Sequence, residues 1–213
     1  FERYQINEVV NAREVEMLER IIANDERALD MGCGTGRLLL PLIAGGKKVS
    51  GLDLTDRHID IIRAQDARAD VATGSWLNAP YEDKRFDIIY SLGRNILHET
   101  TLPRQEKLFA ETNRLLAVGG KFILDIPDRS QGGYAELVSG YEQVMKKRGI
   151  TKIRTGAIYD SPDGTNFAAR YAYSRDDIAR LAEDNGFIIE ETREADLPTG
   201  KGDVNIYFIL KKV

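Results

Sequence analysis

Ala28-Leu29-Asp30-Met31-Gly32-Cys33-Gly34-Thr35-Gly36-Arg37 is the stretch that decides the fold. An apolar run ends in a carboxylate, three glycines follow at alternate positions, and Leu38-Leu39-Leu40 comes next. Strand, acid, tight turn and helix N-terminus in this order make a nucleotide-type binding loop. A dinucleotide fingerprint reads G-x-G-x-x-G, whereas this loop reads D-x-G-x-G-x-G. A carboxylate directly before the glycines would repel a pyrophosphate and would suit a ligand that brings an ammonium group. The glycines remove Cβ atoms, so the backbone can turn sharply and lie close to that ligand. A plain turn joining strand to helix is the competing reading; Asp30 and the next motif argue against it.

That next motif, Lys48-Val49-Ser50-Gly51-Leu52-Asp53-Leu54-Thr55, is a second strand ending in an acid. It follows the loop by roughly 20 residues, where a ribose-binding carboxylate belongs. Ionised Asp53 can accept two hydrogen bonds from vicinal hydroxyls. Its other reading is the N-cap of a helix starting near Asp56, a task that Thr55 suits better. A third segment, Asp70-Val71-Ala72-Thr73-Gly74-Ser75-Trp76, reads as a short strand and turn.

S-adenosylmethionine has the required ammonium, a ribose and an adenine, and the first motif resembles that of the class I S-adenosylmethionine-dependent methyltransferases. The resemblance covers residues 27 to 126 by motif and the rest by element order. It implies S-adenosylmethionine as cofactor, held by Asp30, Gly32, Gly34, Gly36, Asp53, Leu54, Ser75, Trp76 and Ser91. In that family the third loop often carries an Asp after its Gly, against the adenine amino group. Ser75 stands there in this chain, and its hydroxyl can accept the same bond more weakly. Trp76, the only tryptophan, reads either as a packing partner of the adenine or as ordinary packing. Tyr4 reads either as an aromatic folding over the cofactor or as part of helix packing. Two alternatives stay open: an NAD-dependent oxidoreductase, opposed by the glycine spacing and Asp30, and a cofactor-binding module without activity.

Composition agrees with one soluble enzyme domain over residues 1–213. Of the 213 residues 42% are hydrophobic and 30% charged, and the net charge is −4, so neither nucleic acid nor an anionic membrane is expected as partner. Cys33 is the sole cysteine, which excludes an internal disulfide and points to a reducing, cytoplasmic setting; inside the glycine loop it reads as a small filler. No apolar run has the length of a membrane span and no signal-peptide pattern is visible. A monomer or homodimer is expected.

Apolar spacing predicts a helix over Asn7 to Ile22, a strand over Ala28 to Met31 and a helix over Thr35 to Ala44. Lys48 to Leu52 is a strand, Asp56 to about Ala64 a helix, and Asp70 to Thr73 a strand. Phe86-Asp87-Ile88-Ile89-Tyr90-Ser91 is typical of a buried parallel strand. A helix over Pro103 to Leu116 is punctuated by Gly119-Gly120 before a strand at Lys121 to Ile126. A helix over Arg175 to Asn185 precedes strands at Phe187 to Glu190 and Asn205 to Leu210. The class is α/β: a doubly wound, mostly parallel seven-stranded sheet. The resemblance adds a Rossmann-like methyltransferase topology with an antiparallel last strand. Residues 127–173, between strands five and six, are too long for a plain crossover. Ile153 to Tyr159, a Ser161-Pro162-Asp163-Gly164 turn and Asn166 to Tyr173 read as a hairpin, expected either to cover the acceptor pocket as a lid or to pack on the sheet edge.

Open α/β sheets bind ligands beyond the carboxyl ends of their strands, so Ser91 to Glu99 is the expected acceptor site. His98 is the candidate general base, its unperturbed pKa lying near neutrality, with capping or packing as its alternative. Arg94 can clamp a carboxylate of the acceptor or be a solvated loop charge; Tyr90 and Asn95 can orient the acceptor. His58 reads as a surface residue. No cysteine, histidine and acid cluster has metal-ligand spacing, and Asp125 and Asp128 read as turn caps ahead of ion ligands. The chain lacks the Asn/Asp-Pro-Pro-aromatic run and the Pro-Cys nucleophile of nucleic-acid base methylation. Elimination leaves a small-molecule acceptor, methylated on N or O.

Overall fold

A computed structural model describes residues 2–147, 157–160, 168–197 and 202–213. The apolar runs around Asp30 and Tyr90 become β1 (Arg27–Met31) and β4 (Phe86–Ser91), which pair in parallel at the centre of the sheet. β2 (Lys48–Asp53) and β3 (Val71–Thr73) extend it on one side, and β5 (Leu116–Pro127) on the other. β8 (Phe187–Asp196) and β9 (Val204–Lys212) complete the order β3-β2-β1-β4-β5-β9-β8, with β9 antiparallel to both neighbours. The sheet is therefore the seven-stranded, mostly parallel one expected. β6 (Ala157–Asp160) and β7 (Ala168–Tyr171) form a separate antiparallel pair inside the insert; the expected turn between them lies outside the described residues.

The helices are α1 (Glu2–Ile21), α2 (Leu39–Ala44), α3 (Asp56–Gln65), α4 (Leu102–Leu115), α5 (Gly132–Lys147) and α6 (Arg175–Asp184). They divide the core into two apolar layers, one on each face of the sheet. Leu18, Leu39, Leu42, Ile59 and Ile62 fill one. The other is centred on Phe109, whose ring meets Phe122 at 5.6 Å and Phe187 at 6.3 Å, both edge-on. Among the described residues no helix is long and apolar enough to cross a membrane. The side chain of Tyr4, on α1, lies outside the described residues.

Boundaries differ from expectation in several places. α2 starts at Leu39, four residues beyond the expected Thr35. The backbone at Gly34 and Gly36 has φ of 54° and 90°, and no right-handed helix runs through such values. β5 starts at Leu116, well before Lys121: Gly119-Gly120 does not end an element but sits in an irregularity where β4 pairing steps from Phe86↔Leu116 to Ile88↔Lys121. β8 runs on past Glu190 through polar residues, because an edge strand has only one neighbour and shows charge to water. The insert also holds α5, which was not anticipated.

Candidate active site

The reversal of strand order falls between β1 and β4, where open sheets form their ligand crevice. The glycine loop leaves β1 there. Its backbone is anchored to the neighbouring strand: the N–H groups of Gly32 and Cys33 both donate to the Leu52 carbonyl, at 2.8 and 3.0 Å. Asn95 Nδ2 donates to the Gly32 carbonyl at 3.0 Å. A methyl group built on Gly34 would meet nothing within 4 Å. The space over this residue is open, which is what a ligand lying on the loop requires.

Asp53 closes the loop from below. Oδ2 accepts the Gly34 N–H at 2.9 Å, Oδ1 accepts the Thr55 N–H at 2.9 Å, and His58 Nδ1 lies 3.1 Å from Oδ1. This corrects two expectations. Thr55 occupies the N-cap of α3 but makes no capping bond through its side chain, and its own N–H donates to Asp53. His58 is not an idle surface residue: it holds Asp53 and lines the same cavity. A carboxylate has about four lone-pair sites, so Asp53 keeps capacity for a ligand diol.

The cavity measures about 520 Å³. Gly32, Asp53, Leu54, Ser75, Trp76 and Asn95 line it together with His98, Glu99 and Arg104. Leu54 is a large apolar side chain left 74% exposed at the rim, a surface suited to a flat base. Ser75 Oγ accepts the Leu77 N–H at 3.2 Å, so part of its accepting capacity is taken. The Trp76 indole N–H donates to Glu99 Oε1 at 2.6 Å. Glu99, buried, also receives Arg104 Nε at 2.6 Å and Nη2 at 3.1 Å. Its carbonyl accepts Tyr173 Oη at 2.9 Å and Gln105 Nε2 at 2.8 Å. Trp76 thus both lines the cavity and is fixed by a buried charge.

Asp30 lies under the loop, 4% exposed. Burial pushes its carboxyl up to about 7, against the pull of Arg37 and of the Tyr90 phenol beside it. Burying a charge favours its neutral form, and a cation set against it would restore the carboxylate. Arg37 is shared: its guanidinium also binds Asn11 at 2.8 Å and the buried Glu14 of α1. Glu14 in turn accepts Tyr207 Oη at 3.1 Å. Asp125, pushed up to about 6 by burial and then by the charge of Glu14, accepts the Arg94 N–H and Asn205 Nδ2, both at 2.8 Å. Asp128 caps the turn after β5, with Ser130 N–H at 2.9 Å on Oδ1.

On the acceptor side, His98 sits at the end of the 3-10 turn Asn95–His98 and lines the cavity. Burial lowers its pKa, as does the charge of Arg170, with Glu99 opposing; the neutral imidazole is favoured. Tyr90 and Ser91 do not line this cavity. Tyr90 is fully buried beneath the loop, and Ser91 Oγ donates to the Met31 carbonyl at 2.7 Å. Arg94 has the left-handed φ of 63°, and its exposed side chain lies outside the cavity lining.

Arg104 and Glu14 had no role in the sequence reading; Glu99 entered it only as the end of the expected acceptor segment and His58 only as a surface residue. Glu14 left a trace: it falls on the stripe of α1 shared by Val10 and Leu18, where an acid is out of place unless paired.

Residues 28–120 match the family model of a methyltransferase domain. The chain is 26% identical over 131 residues to sterol 4-C-methyltransferase of Caenorhabditis elegans, covering 58% of this chain and 38% of that protein. It is 32% identical over 117 residues to sarcosine/dimethylglycine N-methyltransferase of Halorhodospira halochloris, covering 52% and 40%. The chain thus spans well under two thirds of these relatives. Its fold matches that of a solved S-adenosylmethionine-dependent methyltransferase from Methanosarcina mazei with a TM-score of 0.78, 16% identity, and coverage of 92% of this chain and 97% of that one. Glycine loop, strand order and family match converge on residues 28–120: this segment matches a methyltransferase domain, and the fold around it is that of solved S-adenosylmethionine-dependent methyltransferases.

Proposed function

We propose that this domain transfers the methyl group of S-adenosylmethionine to a nitrogen or oxygen atom of a small-molecule acceptor. The observation that carries the reading is the one cavity that Gly32, Asp53 and Leu54 share with His98 and Glu99. Groups suited to a nucleoside and a group suited to proton removal share one space.

In this reading Asp53 accepts from the ribose hydroxyls, Leu54 and Trp76 flank the base, and Asp30 compensates the cationic end over the open face of Gly34. The bound cofactor supplies an activated methyl on a sulfonium, so the protein's task is to align the acceptor and exclude water. His98 takes the acceptor's proton where one must leave; its depressed pKa keeps the lone pair available near neutral pH. The insert acts as a lid: β7 packs on the 3-10 turn that carries His98, and Tyr173 ties the following segment to Glu99. The relatives named for sterol and for sarcosine/dimethylglycine methylation support an acceptor of small size.

The test is a radiolabelled methyl-transfer screen of the protein against a metabolite panel, with thermal shifts measured beside it for S-adenosylmethionine and NAD. Stabilisation by S-adenosylmethionine alone, and label in at least one small N- or O-acceptor, are expected. Stabilisation by NAD in its place would overturn the reading.

A further inference from the structure

The insert brings a cation beside the turn that carries His98. Arg170 is on β7, paired with Ile158 across the small hairpin. Its neighbour Tyr171 turns into the core and stacks edge-on with Tyr173, 4.6 Å between ring centroids. Alternation along a strand sends Arg170 to the opposite side. β7 abuts the turn Asn95–His98, and the Arg170 charge acts directly on His98.

Arg170 Nε is shut off from solvent and has no hydrogen-bond partner among the described residues. No carboxylate there pairs with it. Arg104, the arginine that lines the cavity, differs: it is held by Glu99, which also receives Trp76. Glu99, the acid beside His98, is therefore already compensated, and Arg170 has no such partner among the described residues. A buried donor without an acceptor is disfavoured, and a guanidinium fork matches planar carboxylates and phosphates.

We propose that Arg170 binds an anionic group of the acceptor, a carboxylate or phosphate, and thereby sets the reacting N or O atom against His98. The proposal rests on the methyltransferase reading above and narrows the acceptor to an acid. It moves the anion clamp from Arg94, whose side chain is exposed, to a cation sheltered beside the base.

Two measurements on the full chain test it. In the first, the His98 ring is followed by NMR while sodium acetate or inorganic phosphate is titrated at constant ionic strength. A saturable rise of the His98 pKa is expected, because the bound anion offsets the Arg170 charge. The stronger of the two anions names the class. Arg170→Gln should raise the His98 pKa without anion and abolish the response, and Arg170→Lys should retain part of it. No response to either anion overturns the proposal, whatever the cofactor does. A response in a protein that S-adenosylmethionine fails to stabilise supports the anion site and removes the methyltransferase reading instead. In the second, the transfer screen is run on matched acids and amides. At least a tenfold preference in kcat/KM for the acid, lost in Arg170→Gln through KM, is expected; equal turnover of acid and amide overturns the proposal.

Discussion

Asp30 is the residue whose physics reaches furthest. Its carboxyl ordinarily titrates at 3.8 and here at about 7 because burial disfavours the charge. A group that keeps its proton longer in the folded state gives stability that is present below pH 4 and lost as pH rises through 7. Each unit corresponds to about 1.4 kcal/mol, so the cofactor-free protein is expected to be weakened by up to about 4 kcal/mol at pH 8 through this group. Asp30→Asn should raise the Tm of the free protein at pH 8 more than at pH 5. The same proton leaves when a cation settles beside the carboxylate. Calorimetry of S-adenosylmethionine binding at pH 6.5, in two buffers of different ionisation enthalpy, should show net proton release in the wild type and none in Asp30→Asn. Asp53→Ala is expected to weaken cofactor binding by about 1–3 kcal/mol, seen as a right-shifted titration, since both the diol and the Gly34 N–H lose their acceptor. Asp30 and Asp53 were legible because strand ends and glycines fix them within a short span of sequence. Glu99, Glu14 and Arg170 were not, because what defines them is a partner brought up by folding: Trp76 reaches Glu99 across 23 residues and Tyr207 reaches Glu14 across 193.

Elements carry the next level of the argument. Buried strands β1 and β4 were readable as apolar runs, since both of their faces are covered. The edge strand β8 hid its length behind polar residues: Glu191 pairs with Arg193 along the strand, and the exposed Glu194 pairs with Arg175 of α6. The start of α2 was misplaced because apolar spacing says nothing about a backbone already committed to left-handed values at Gly34 and Gly36. The segment from the 3-10 turn into α4 is held to the cofactor side by one acid, Glu99. Its replacement by Gln keeps the shape and weakens the charge-assisted bonds to Trp76 and Arg104. Emission from the sole tryptophan should therefore shift to the red in Glu99→Gln, and the change it undergoes on adding S-adenosylmethionine should shrink. An unshifted spectrum would mean that the indole keeps its place without the carboxylate.

At the scale of the molecule, the two apolar layers do different work. The rings of Phe109, Phe122 and Phe187 pack on one another inside one of these layers, and none of the three lines the cavity. Phe109→Ala is expected to lower stability by about 3–5 kcal/mol in denaturant melts, while the dissociation constant for S-adenosylmethionine at low temperature stays within twofold of wild type. The order β5-β9-β8 has a kinetic meaning as well. β8 is made first yet can only lie outside β9, which alone touches β5. β9 must therefore be in place, on β5 or in a hairpin with β8, before β8 can join the sheet, and the docking of β9 joins Phe208 to Leu124 across a long intervening chain. Such distant joins are slow to form. The last event in refolding is then expected at the far edge of the sheet, after the nucleotide-facing half has already taken shape.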